Sequence, residues 1–404
     1  MNSYFIKFRL MMQVMAHWLS SQSMKFLIKK DAQQPVHILF CMVDHYEPGS
    51  RNATPETEVE RVDRLLMKYP QLADRHRDYA GNIVKRTWFF PPHYHRYQHL
   101  KKLVSLCHKG FGEIELHLHH GKTKPDTRVN LTETIKACLE AYAPFGIFGR
   151  IRGLPRYGFI HGDWALDNSR NNQFCGVSQE IEVLINTGCY ADFTFPAVNQ
   201  ANPDQINSVF YTTDRRGPKS YAHGVHVQTN RQPPAKSLMI IEGPLHPYIH
   251  GQPPFLRYFG DAVDGVCPVY RRRVDTWVRT GIHVKGKPNW IILKIHTHGA
   301  TDADAVLGPE MDRILSHLED RYNDGIRYRL HYVAARELYN IIKAVEAGAG
   351  EDDPEMFRDF EIPPPKYDPS PDICSAPPFL LSLIERTYPI EWFKFHHKTK
   401  IGKS

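Results

Sequence analysis

No run of about 18 apolar residues occurs in the 404-residue chain, so the sequence offers no transmembrane helix. Cysteine is sparse: seven copies, an odd number, with no C-x-x-C pair among them. That excludes a disulfide framework and fits reduced, packed thiols, Cys41 and Cys107 lying in apolar runs, in a cytoplasmic protein. The compositional skews of collagen and of low-complexity disorder are missing as well. Charge of one sign is scarce, since 51 Lys+Arg against 44 Asp+Glu leave only +7. The densest basic run is Arg271, Arg272 and Arg273, with no recognition motif around it, so a nucleic-acid partner is not expected. The residue in excess is histidine. Its 23 copies outnumber the six tryptophans and ten methionines combined.

Near the N-terminus Gln13 and His17 interrupt the apolar run, which makes a poor secretory leader. Phe5, Phe8, Met12, Met15 and Leu19 recur at helical spacing. They predict an amphipathic helix: a frayed terminus, residues upstream of a later start at Met11, Met12 or Met24, or a weak membrane-surface anchor. From about residue 35, strand-like and helix-like stretches alternate in the rhythm of an α/β fold. Strands are expected at 36–43, 86–90, 113–119, 157–161, 191–195, 238–241 and 290–296. Helices are expected at 54–69, 97–107, 131–142, 177–186, 310–322 and 332–347. Residues 199–236, rich in Asn, Pro, Gly and Lys, read as a long excursion that could serve as a lid or an oligomer contact. The expected architecture is an extension (1–35), one distorted, seven-stranded (β/α) barrel (36–347), and a loosely ordered, Pro-rich tail, acidic then basic (348–404).

Several strands end in titratable residues, and in a βα barrel those ends form the active face. The first ends in Asp44-His45-Tyr46-Glu47, the second is followed by His93 and His95, and the third ends in His117-Leu118-His119-His120. His161-Gly162-Asp163-Trp164 and His296-Thr297-His298 end two more. Residues two apart on a strand share a face, so His117 can converge with His119, and His296 with His298. Two imidazoles and a carboxylate, from Asp44 or Glu47, make a first shell for Zn²⁺, with Mn²⁺, Co²⁺ or Ni²⁺ as alternatives. Such an ion suits amide or ester hydrolysis. For His93 and His95 alone, loop stabilisation is the plainer reading. His120 faces away and is expected to contact structure, and His161 to pack. Asp163 could be a ligand, a substrate contact or a turn former. No cysteine sits in a reactive motif.

These motifs resemble the NodB-homology polysaccharide deacetylases of the glycoside hydrolase/deacetylase barrel superfamily. The resemblance runs over about residues 36–340. It rests on Val43-Asp44-His45-Tyr46-Glu47-Pro48, Thr87-Trp88-Phe89-Phe90, Glu113-Ile114-Glu115-Leu116-His117, Gly188 to Pro196, Asp275 with Trp277, and Leu293-Lys294-Ile295-His296. Two departures stand out: the second member of the family's Asp pair is His45, and its second metal histidine falls on Gly121, with His119 as the replacement. The resemblance implies removal of acetyl groups from a sugar or polysaccharide, as in exopolysaccharide or cell-envelope metabolism. It makes Asp44 the general base and His296 the general acid, with Tyr190 near the oxyanion. His117, His119 and either His45 or Glu47 would hold the metal. Trp88, Tyr94 and Trp164 could stack on sugar rings, and His93, Asp163, Asp192 and His298 could face the substrate. A glycosidase of the same superfamily, and a silent carbohydrate-binding or assembly protein, are the competing readings.

Overall fold

The computed structural model describes residues 8–19, 34–94, 96–250, 255–265, 269–349, 353–373 and 376–386. Helix α1 (8–19) comes first, then strand β1 (Val36–His45), α2 (Pro55–Ala73), β2 (Arg86–Phe90), α3 (Tyr97–His108) and β3 (Gly112–Leu118). Thr54 caps α2 by accepting from the Thr57 N–H, with Pro55 in the first turn, as its sequence signals. Next come α4 (Arg128–Tyr142), β4 (Gly149–Ile151), β5 (Leu154–His161), α5 (Glu180–Thr187), β6 (Cys189–Asp192), β7 (Val209–Thr213), β8 (Val225–His226) and β9 (Ser237–Ile241). The remainder is β10 (His246–His250), β11 (Phe255–Phe259), β12 (Ala262–Val263), α6 (Arg271–Thr280), β13 (Trp290–Thr297), α7 (Ala303–Leu307), α8 (Pro309–Tyr322), β14 (Tyr328–Val333), α9 (Ala335–Glu346) and α10 (Pro378–Glu385).

All ten residues of β1 are buried, as expected of a parallel strand covered on both faces. One edge of β1 pairs with β13 along nearly its whole length. The other edge is shared, β14 taking the first half and β2 the second. The sheet runs β12-β13-β1-β2-β3-β5-β6-β9-β7-β8, parallel except for β7 and β8.

The period of two then sorts the side chains into two apolar layers. Ile38, Phe40 and Met42 meet Val62, Leu65, Leu103 and Leu315 of the surrounding helices. Leu39, Cys41 and Val43 face a separate cluster with Phe89, Ile160, Val209, Met239, Ile292 and Leu338. Strands from both ends of the sheet, β13 and β7, reach that inner cluster, so the sheet curls around it.

The α/β class stands, but the count of seven strands does not: among the described residues the sheet has twelve, and their ladders do not close on themselves. Two of the five additional strands come from the 199–236 excursion, which folds into β7 and β8 and adds antiparallel strands at one edge; β4, β12 and β14 are the other three. Between that edge and β13 runs the segment 282–285, joined by separate backbone bonds. Ile292 N–H donates to Ile282 O at 2.7 Å, and Lys285 N–H to Val227 O at 3.0 Å.

Two further expectations are corrected. Strand β14 occupies 328–333, so the last long helix begins at Ala335 and not at 332. The start of the supposed loose tail is an ordered strap: Ile362 joins the inner core, and Arg358 reaches Glu337 at 2.8 Å and Asp78 at 3.3 Å. Pro354 is buried as well, while Pro363, Pro364, Lys366 and Asp368 face solvent. This strap and α9 lie at the N-terminal ends of the strands, where Arg336 pairs with Glu113 of β3 and Phe357 lies against Trp290 of β13. On α1, Leu10 and Val14 are the buried residues, packed with Ile206 and Leu245, while Phe8, Met12 and Leu19 are exposed. Phe5 lies outside the described residues. Among the described residues no helix is long and apolar enough to cross a membrane.

Candidate metal centre

At the C-terminal ends of the parallel strands, the inner row of each strand continues into histidine. On β1 the row Leu39, Cys41, Val43 leads to His45; on β3, Glu113 and Glu115 lead to His117 and then His119; on β13, Ile292 and Lys294 lead to His296 and then His298. Glu47, just past β1, sits among them. Its Oε1 is 3.2 Å from His117 Nε2 and in still closer contact with His119 Nε2, and its Oε2 lies 3.8 Å from His298 Nε2. The His45 ring centre is 4.9 Å from that of His117, 4.8 Å from His298 and 5.4 Å from His296. His93 stands edge-on to His119 at 5.1 Å, and Trp164 edge-on to His296 at 6.5 Å.

The far side of each imidazole fixes what the near side can do. His117 Nδ1–H donates to Ile160 O at 2.8 Å, because a carbonyl can only accept. His119 Nδ1 lies 2.9 Å from the Asp163 carboxylate, which also only accepts. Both Nε2 atoms therefore turn toward the same carboxylate oxygen of Glu47, where a proton on His119 or a metal ion can join them. A divalent ion fits this donor set of two nitrogens and an oxygen, and the outer contacts are of the kind that orient metal-binding histidines. Asp163 and Trp164 both adopt positive φ, at 56° and 52°, a strained backbone that brings this turn to the cluster.

Across the cluster, His296 Nδ1 is 2.6 Å from Asp261 Oδ1, and Asp261 Oδ2 is 2.9 Å from the Lys294 ammonium. Burial by itself would raise the Asp261 carboxyl, but His296 and Lys294 hold it below the usual range. The same contest sets Glu47: burial opposes its charge, yet His119 and His117 keep its carboxyl well below normal. Burial, followed by the neighbouring histidines, drives His45 well below the ordinary imidazole value, and burial leads the fall of His298 too. His119 goes the other way: burial opposes its charge, but Glu47 and Asp163 hold it above the ordinary imidazole value.

The structure thus brings together His45, Glu47, His93, His117, His119, Asp163, Trp164, His296 and His298. It does not bring Asp44, Trp88, Tyr190 or Asp192 to them. Asp44 occupies the outer face of β1, where its Oδ2 accepts from Arg86 at 2.8 Å, Thr297 at 2.6 Å and the Gly299 N–H at 2.7 Å. Trp88 is fully buried edge-on to Tyr69 beneath the helices. The Tyr190 hydroxyl donates to Glu115 at 2.6 Å, one inner layer below His117. Asp192 accepts from both the hydroxyl and the N–H of Thr194, and burial pushes its carboxyl up to about 7. His95 lies outside the described residues, as do the side-chain contacts of Tyr94. Sequence reasoning missed Asp261, whose one signal is a lone acid before the short strand β12. Asp275, the acid singled out by motif, sits on α6 with His317 and Tyr322.

The fold and the cluster define an α/β protein with buried His/Glu and His/Cys/Glu groups able to hold a metal ion. Neither a protein-family model nor a curated protein matches the chain.

Proposed function

We propose that the protein is a metal-dependent hydrolase that removes acetyl groups, as amide or ester, from a sugar or polysaccharide. The observation that carries this reading is the convergence of His117 Nε2 and His119 Nε2 on Glu47, opposite a histidine anchored by Asp261. Glu47, His117 and His119 would hold the ion, zinc suiting the donors best, and His45 and His298 line the space beside it. A divalent ion bound there supplies Lewis acidity for an acyl carbonyl and acidifies water. His296 keeps its Nδ1 proton on Asp261, which leaves Nε2 to exchange a proton with the reacting group. Asp163 holds the tautomer of His119, and Trp164 offers a wall for a sugar ring. The sugar itself enters through the resemblance to polysaccharide deacetylases, and the curled sheet is then a distorted barrel of that kind. Glu47 and Asp163 both engage His119, so neither is free to flank a glycosidic bond, which favours deacylation over glycoside cleavage.

Acetate release from acetylated oligosaccharides, with metal analysis of the same sample, tests the proposal. Activity that tracks metal content and disappears in Glu47→Gln and His117→Ala supports it. Metal-replete protein that releases reducing ends but no acetate, or that releases nothing from N- and O-acetylated glycans, overturns it.

A further inference from the structure

A second group of metal-ligating side chains lies on the outer face of the sheet, behind the first. His120 follows β3, His161 ends β5, Glu180 opens α5, and Cys175 lies in the loop before it; all four are buried. His120 Nε2 is 2.9 Å from His161 Nε2 and 3.1 Å from Glu180 Oε1. Glu180 Oε2 is 3.6 Å from His161 Nε2 and 3.3 Å from Cys175 Sγ. One ligand atom from each residue lies within 4.8 Å of all the others.

The surroundings of these atoms point inward. His161 Nδ1–H donates to Gly162 O at 2.6 Å, so its Nε2 carries a lone pair. His120 Nδ1 lies 3.0 Å from the Asp126 carboxylate, an ion-pair contact on the outer side of the ring that leaves Nε2 facing the group. Cys175 Sγ accepts backbone N–H groups from Asn168 at 3.3 Å and Val177 at 3.4 Å and donates to Glu180 Oε2 at 3.3 Å; burial pushes its thiol up to about 11, so it is a thiol until an ion displaces the proton. A single proton at the centre can serve only one pair of these acceptors. One divalent ion serves all four.

We propose that His120, His161, Cys175 and Glu180 form a closed, four-coordinate structural zinc site. Two neutral imidazoles, a thiolate and a carboxylate around Zn²⁺ sum to zero charge, which suits a site shut off from water. A tetrahedron with bonds of about 2.0–2.3 Å has edges of about 3.3–3.8 Å; the separations of 2.9–3.6 Å given above lie within a few tenths of an ångström of those edges, and the widest in the group, bounded at 4.8 Å, has to close by up to about 1 Å. Binding displaces the thiol proton of Cys175 to solvent. The ion would tie together the ends of β3 and β5, the 162–175 loop and α5. It is independent of the catalytic reading, because the Glu47 cluster contains no sulfur.

That difference supplies the test. The full chain is stripped with a chelator and reloaded with Co²⁺, or studied as the zinc form by X-ray absorption. The expected result is a thiolate-to-cobalt charge-transfer band, and one sulfur scatterer among nitrogen and oxygen at the zinc edge. Cys175→Ser should abolish the band and lose one equivalent of metal while the metal at Glu47 stays. Should that variant fail to fold, the absorption spectrum of the unmodified zinc protein decides by itself. Metal-loaded protein without a sulfur ligand, or a chain that takes up no metal, overturns the proposal and leaves the cluster bridged by a proton.

Discussion

Asp44 and His45 are adjacent in sequence and separated by a sheet in space. Which of them faces inward cannot be read from β1, because a parallel strand buried on both faces has no polar side to mark. Spacing within a strand was readable, and it correctly paired His117 with His119 and His296 with His298. Phase between strands was not, so the carboxylate of the centre is Glu47 and not Asp44. The consequence is measurable. Asp44→Ala strands the Arg86 guanidinium in a fully buried position and should lower the unfolding free energy by about 3–5 kcal/mol in chemical denaturation. Metal bound per folded chain should not change. Asp261→Asn acts in the opposite sense. It removes the charge that anchors His296, so turnover should fall on the order of 10²-fold or more with metal content intact, a split that acetate kinetics and metal analysis resolve together.

Among the elements, those with long apolar runs or clear caps were legible: β1, β2, β13, and α2 with its Thr54-Pro55 start. β14 was not, because Tyr-Arg-Leu-His-Tyr-Val alternates and runs straight into the helical spacing of α9. The strap at 353–373 was hidden for a different reason. Its composition is that of a linker, and its order comes from long-range partners that no local window contains. Glu355 shows how charge holds it. Burial opposes ionisation of this carboxyl, but His331 at 2.6 Å and Arg358 at 2.7 Å bring it below the usual carboxylate range. A carboxyl depressed on folding adds stability that is complete above its unfolded value near 4.3 and is lost as the pH falls through the lower folded value. Glu355→Gln should therefore destabilise the protein at neutral pH. The gap in denaturation midpoint between variant and parent should narrow steadily as the medium is acidified below about pH 4. A gap that does not vary with pH would show that the bonds matter and the charge does not.

For the molecule as a whole, one sheet divides the apolar interior into an outer layer under the helices and an inner layer stopped at one end by α9 and the strap. The opposite end carries the histidines, and there His298 and Asp163 are partly exposed. Carboxylates, rings and backbone turns gather there from strands far apart in the chain, so no single stretch of sequence contains the group. The double pairing of β1 has a consequence on the clock of solvent exchange. Its amides are hydrogen-bonded between β13 on one side and β14 and β2 on the other, with all its side chains buried. No local fraying can open them. In deuterium oxide the amides of 38–43 should be the last to exchange, at a rate set by unfolding of the entire domain. Those of β8, two residues long at the edge of the sheet, should be replaced early. Mass spectrometry of peptic fragments would then read global stability directly from one segment of the chain, without denaturant.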